Sequence, residues 1–283
     1  NLFYTSSCWY SNYILGETLM KNNPNKGLLF LYNTRLGRIF LKLIFINSFV
    51  SKVVGWFMDT KLSCVMIKKF IKSNNIDMSE YEDKKYTSFN DFFTRKVKVE
   101  KRVFDDNKNS LSSPCDSFVT HYKITDDLLF NVKNSLYSLS SILEDDKLAK
   151  KYANGDLIIF RLTPSNYHRY HYFDDGKMLY NKKIKGKFHT VNPIVYDKYE
   201  VFKENTREYS VLKTKRFGKV IYMQVGALLV GKINNYNKKS FKMKEEAGYF
   251  SYGGSTCILI FEKDTIKINR NILNKSKKNI EVN

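Results

Sequence analysis

An α+β fold, with N-terminal amphipathic helices followed by a mainly antiparallel β core, is what the 283-residue sequence predicts. Three observations carry this reading. Apolar residues recur at three-and-four spacing from Leu36 to Phe57, the pattern recurs from Leu62 to Ile71, and beyond about Lys101 short β-rich apolar runs alternate with polar turns. With 43% hydrophobic and 15% aromatic residues and only four prolines, the chain can bury a sizeable core.

Residues 1–30 are aromatic and polar without a clear period and read as an N-terminal arm, ending in the Asn- and Lys-rich stretch Lys21 to Lys26. The chain opens on Asn1 rather than a methionine, which predicts a processed product. Residues 31–100 form a helical region in which Leu36, Ile39, Phe40, Leu43, Ile46, Val50, Val53, Val54 and Phe57 mark one face, with Arg35, Arg38, Lys42 and Lys52 between them. Its longest uninterrupted apolar run, Leu43 to Ile46, falls far short of the roughly 18–20 residues that spanning a bilayer needs. Such a helix either packs on the protein's own core or lies on a membrane; cationic residues beside large apolar ones tip the reading to the membrane, and Lys68, Lys69 and Lys72 extend that character.

Residues 101–283 form the β-rich core. Strands are expected over Asp156 to Leu162, Val195 to Phe202, Lys219 to Val230 and Thr256 to Phe261, a polar loop over Asn234 to Glu246, and a solvated tail from Asn269 to Asn283. The formal net charge of +20 calls for a polyanionic partner, but no RNA-binding aromatic signature or zinc-finger spacing is present, so nucleic acid is not expected. Cys8, Cys64, Cys115 and Cys257 are far apart and the chain has four histidines, which predicts free thiols and no metal site.

Three segments carry candidate chemistry. Arg161 to His171 places His168 and His171 three residues apart after an expected strand, able to reach one cleft as general base and general acid; alone, they fit a surface or metal-binding pair better. Gly253-Gly254-Ser255 sets a serine after two glycines, suited to attack of its hydroxyl on the preceding carbonyl, although the spacing by itself describes any glycine turn. Asp116, in the turn Ser112 to Ser117, completes the parts of an Asp-His-Ser relay with His171 and Ser255.

In order and rough spacing, Ser88 to Lys96, the Pro114-Cys115-Asp116 turn, Tyr167-His168-Arg169-Tyr170-His171, Val225-Gly226-Ala227 with Val230-Gly231, and Gly254-Ser255-Thr256 resemble the phosphatidylserine decarboxylases, over about Leu36 to Phe261. The resemblance implies a peripheral membrane enzyme made as a proenzyme, which cuts itself between Gly254 and Ser255 into a β chain (1–254) and an α chain (255–283). It implies that the Asp116-His171-Ser255 relay performs the cut, that Ser255 becomes a covalent pyruvoyl group forming a Schiff base with phosphatidylserine, and that His168 serves decarboxylation and protonation. It further implies phosphatidylethanolamine and carbon dioxide as products, an anionic membrane surface as partner, and a homodimer of α/β heterodimers; endoplasmic reticulum, mitochondrial inner membrane and bacterial cytoplasmic membrane all fit. Ser117, Thr206 and Gly253 stand where the family usually has Gly, Glu, and Leu or Val. The same residues would also serve an uncleaved serine hydrolase, and the altered flanks fit a noncatalytic anionic-lipid-binding homologue.

Overall fold

A computed structural model describes residues 26–41, 48–98, 101, 109–133, 135–196, 198–227, 232–252, 255–278 and 280–282. Gly253, Gly254, Val230, Gly231, Cys8, Leu43, Ile46 and most of the expected N-terminal arm lie outside the described residues.

The chain enters through α1 (Lys26–Asn33), α2 (Arg35–Phe40), α3 (Ser48–Met58), a 3-10 turn over Lys61–Met66, α4 (Ile67–Ser73) and α5 (Phe89–Phe93). Helix α1 begins inside the stretch expected to be an arm, and it does so because Tyr32 is a buried anchor whose hydroxyl accepts from Thr190 N at 3.0 Å. Thr34 starts the next helix by accepting from Gly37 N at 2.9 Å. Gly37 cannot carry a side chain, because a Cβ there would lie 2.0 Å from the Phe30 carbonyl oxygen. Ser88 caps α5 by accepting from Asp91 N at 3.1 Å.

The core follows as β1 (Phe118–Lys123), β2 (Leu129–Val132), β3 (Ser135–Ser138), α6 (Leu139–Leu143), α7 (Asp146–Ala149), β4 (Asp156–Leu162), β5 (Arg169–His171) and β6 (Gly176–Ile184). After these come α8 (Val201–Glu204), β7 (Arg207–Thr214), β8 (Lys219–Gly226), β9 (Ile233–Asn235), β10 (Ser240–Phe241), β11 (Glu246–Phe250), β12 (Ser255–Phe261) and α9 (Arg270–Lys277). All named strand pairs are antiparallel. They build a seven-stranded sheet in the order β1-β4-β12-β8-β7-β6-β10, a three-stranded sheet β5-β11-β9 and the hairpin β2-β3. The chain is therefore α+β, helices first and antiparallel β core after.

Strands β4 and β12 are buried along their whole length because the large sheet is covered on both faces. Leu157, Ile159, Ile258 and Ile260 face a cluster that includes Tyr32, Ile142 and Phe202, whereas Ile158, Phe160, Cys257 and Leu259 face Tyr170, Phe250 and Ile233 of the small sheet. A third cluster joins the helices to the core: Phe89, Phe92, Phe93 and Met58, with Phe70 and Tyr252 against them.

Three expectations are corrected. Val195 to Phe202 is no strand but a 3-10 turn (Pro193–Val195) leading into α8, since Val201 and Phe202 bury on one side of a short helix. The expected loop Asn234 to Glu246 contributes to β9, β10 and β11; Asn235 is held across the sheets, its Oδ1 accepting from Tyr170 Oη at 2.8 Å and its Nδ2 donating to Gln224 Oε1 at 3.1 Å. The expected solvated tail instead forms α9 with Ile272 and Ser276 buried, and Val282 exchanges two backbone hydrogen bonds with Val119, at 2.7 and 2.9 Å.

Candidate active site

Sheet register decides where the serine sits. Phe118, Arg161, Thr256 and Val225 form one row across β1, β4, β12 and β8, and Leu162, Ser255 and Gly226 form the next. Ser255 therefore opens the interior strand β12 and shares a face with Cys257, towards the small sheet. It is fully buried, and its Oγ has no hydrogen-bond partner among the described residues. An orphaned buried hydroxyl costs on the order of 1–3 kcal/mol, which marks a position kept for something other than stability.

His171 ends β5 opposite Glu246 and is tied to the Asp116 turn through its backbone, His171 N donating to Pro114 O at 2.8 Å. Burial lowers the His171 pKa, opposed by the charges of Glu246 and Asp116, so the ring is a neutral base at neutral pH with two carboxylates to steady its protonated form. Tyr222 links this group to the serine strand: its hydroxyl donates to His171 O at 3.3 Å and lies 4.0 Å from Cys257 Sγ. Asp116 and His171 are thus neighbours, and Ser255 occupies the same layer between the sheets.

His168 stands at the other end of β5, fully buried. Its Nδ1 bonds Asn166 O at 2.8 Å, its Nε2 has no partner among the described residues, and its ring lies 4.0 Å from that of Phe93. Phe250 N donates to His168 O at 2.9 Å, which places this histidine beside the end of β11, just before Ser251 and Tyr252. Gly248 lets β11 lie close to both neighbours, since a Cβ there would lie 2.4 Å from Asn234 O and 2.7 Å from Tyr170 Oη.

Several supporting residues escape sequence reasoning. Asn90 donates to Asp59 Oδ1 at 2.8 Å and accepts from Tyr252 N at 2.9 Å, gripping the loop just before Gly253. Asn205 is fully buried; its Nδ2 donates to His189 O at 2.7 Å and to Gly226 O at 2.8 Å, and its Oδ1 accepts from His189 N at 2.9 Å. It thereby braces the residue opposite Ser255. Both asparagines lie in segments that the family resemblance singles out, but partners this remote in sequence leave no local signal of their roles.

Among the described residues no group of three metal-ligating side chains occurs, and no helix is long and apolar enough to cross a membrane. A profile of the phosphatidylserine decarboxylase family matches residues 89–281. The chain is 52% identical over 261 residues to "Phosphatidylserine decarboxylase proenzyme 2" of Clostridium acetobutylicum, covering 92% of this chain and 90% of the relative. It is 41% identical over 274 residues to the "Phosphatidylserine decarboxylase proenzyme" of Clostridium tetani (95% and 92% covered). The Ruminiclostridium cellulolyticum protein of the same name is 41% identical over 257 residues (89% and 86%). Matches of this depth across nearly the whole length make this chain a member of the phosphatidylserine decarboxylase family.

Proposed function

We propose that the chain decarboxylates phosphatidylserine to phosphatidylethanolamine and carbon dioxide, using a pyruvoyl group that it makes from its own Ser255. The observation that carries this reading is the buried Ser255 Oγ, unpartnered among the described residues, at the head of interior strand β12 and in the same layer as Asp116 and His171, in a chain whose relatives are named proenzymes. His171, with Asp116 as the orienting acid, takes the hydroxyl proton; Oγ attacks the Gly254 carbonyl and the amide becomes an ester. Loss of the Ser255 α-proton then breaks the ester, leaving a carboxylate at Gly254 and a dehydroalanine that hydrolyses to pyruvoyl and ammonia. The small chain, 255–283, is held after the cut because β12 lies between β4 and β8.

The residues present fit such a group: a buried acceptor nitrogen on His168, a buried Ser255 and a largely apolar surround. Bound there, the pyruvoyl carbonyl supplies an electron sink for the bond to the departing carboxyl carbon. His168 moves the proton, and Phe93 and Tyr252 shield it from water. Docking on anionic lipid is assigned to the helical region, where Leu36 (64% exposed), Trp56 (70%), Leu62 (73%) and Val65 (81%) stand among Arg35, Lys52, Lys61 and Lys68. The working unit proposed is a homodimer of cleaved pairs, checked by sedimentation.

Mass spectrometry of the purified chain tests the reading. Fragments 1–254 and 255–283 are expected, the smaller one reacting with a carbonyl reagent, while Ser255→Ala stays intact. An intact wild-type chain that labels with a serine-directed phosphonate would mean a hydrolase. Intact protein that binds lipid without turnover would mean a noncatalytic homologue.

A further inference from the structure

Arg95 is 2% exposed, yet among the described residues no carboxylate pairs with it. Its guanidinium lies over the rings of Tyr81 and Phe92, 4.2 and 4.8 Å from their centroids. Nη2 donates to Tyr81 Oη at 3.1 Å and Ser165 O at 3.3 Å, Nη1 reaches Phe92 O at 3.5 Å, and Nε has no partner among the described residues. Burying a cation without a counter-charge costs several kcal/mol, so the position calls for an explanation beyond packing.

The explanation lies in the turn that Arg95 holds. Ser165 precedes Asn166, whose Oδ1 accepts from Thr163 N and Thr163 Oγ1, both at 2.7 Å, and whose backbone oxygen meets His168 Nδ1 at 2.8 Å. A carbonyl oxygen only accepts, so Nδ1 carries the ring proton and Nε2 keeps its lone pair. Protonating Nε2 would create a second buried cation with no acceptor in front of it. Around the ring stand Phe93 from α5, with the Tyr252 phenol behind it, and the Phe250 backbone from β11; the charged group acting on His168 is Arg95. Burial first and Arg95 second push the His168 pKa down to about 3.

We infer that Arg95 is a positioning residue: it holds the turn that fixes His168 as the neutral, Nδ1-protonated tautomer, so that the open Nε2 meets the substrate as a hydrogen-bond acceptor. The inference rests on the pyruvoyl reading only for the identity of that substrate. The substrate's ammonium group, beside its carboxylate, supplies the donor that Nε2 lacks, and no proton changes hands in this contact.

The test is 15N-histidine NMR on the full-length Ser255→Ala chain, which holds no pyruvoyl, with His168 assigned by the signal lost in His168→Gln. The expected result is an Nδ1-protonated ring that stays neutral from about pH 8 down to about pH 5. Adding Arg95→Met should raise its midpoint by more than about one pH unit, while Arg95→Lys should keep it low. In cleaved wild type, kcat/KM should not fall between about pH 6.5 and about pH 8, as it would if a resting imidazolium were the acid. An Nε2-protonated tautomer, a midpoint near that of an ordinary histidine, or an Arg95→Met protein with unchanged titration would overturn the inference. Absence of wild-type cleavage would instead sink the pyruvoyl reading and leave the titration result standing.

Discussion

Replacing Glu281 by alanine should destabilise the protein far more than a residue so near the chain end would ordinarily do. Arg161 is 4% exposed and sits in β4 one row from Ser255; its Nε donates to Glu281 Oε1 at 2.6 Å and its Nη2 to Oε2, a bidentate clasp. Removing the carboxylate leaves a guanidinium buried against Phe118 without its counter-charge, a loss of about 3–5 kcal/mol for a fully buried pair. Because the Glu281 side chain keeps 17% of its surface in water, the lower end, about 3 kcal/mol, is the figure expected. Urea unfolding of the uncleaved Ser255→Ala chain, with and without Glu281→Ala, measures it. Arg161→Met combined with Glu281→Ala should recover most of the loss, since no unpaired charge then remains. A loss below about 1 kcal/mol, or a double variant as weak as the single one, would refute the argument. The contact matters beyond stability, for after the proposed cut Glu281 and Val282 belong to the small chain while Arg161 and Val119 belong to the large one.

Other outcomes follow from the same geometry. Because the His168 pKa is lowered in the folded state, the unfolded chain binds more protons below about pH 6.5; this ring's contribution is complete above that pH and is lost as pH falls towards about 3. Urea midpoints should therefore drop on acidification by up to about 1.4 kcal/mol per pH unit from this ring, and an equal slope in His168→Gln would contradict the assignment. Asn90→Ala removes the bonds to Tyr252 N and Asp59 and should slow self-cleavage about tenfold, read as fragment appearance on gels; an unchanged rate would count against a loop held ready for attack. Asn205→Ala leaves His189 N, His189 O and Gly226 O without their partner and should cost about 3 kcal/mol by urea unfolding, with wild-type stability as the contrary result. Changing Trp56, Leu62 and Val65 together to serine should cut vesicle affinity at least 100-fold in co-sedimentation, at about 1–2 kcal/mol for each apolar side chain; equal pelleting would move the docking face elsewhere.

Periodicity over Leu36 to Phe57 and Leu62 to Ile71 was enough to place helices first, and the apolar runs around Ile158, Ile221 and Ile258 were enough to place buried strands after them, because both depend on residues adjacent in sequence. Val195 to Phe202 misled for the same reason: β-branched and aromatic residues fit a strand locally, but the burial of Val201 and Phe202 against Tyr196 and Tyr137 settles a helix. The tail from Asn269 looked solvated since nothing local reveals that Arg161, 120 positions away, needs Glu281.

Residue types and motif order were sufficient to single out Ser255, His168, His171 and Asp116 as candidates and to point to the family. Only the tertiary structure decided that Ser255 lies at the head of an interior strand, that Arg95 stands over the turn carrying His168, and that Asn90 holds Tyr252 before the serine while Asn205 holds Gly226 opposite it. The physical reason is that burial and hydrogen-bond satisfaction are properties of chains brought together: a side chain's charge state and partners are written by neighbours tens of residues away, which no local pattern contains.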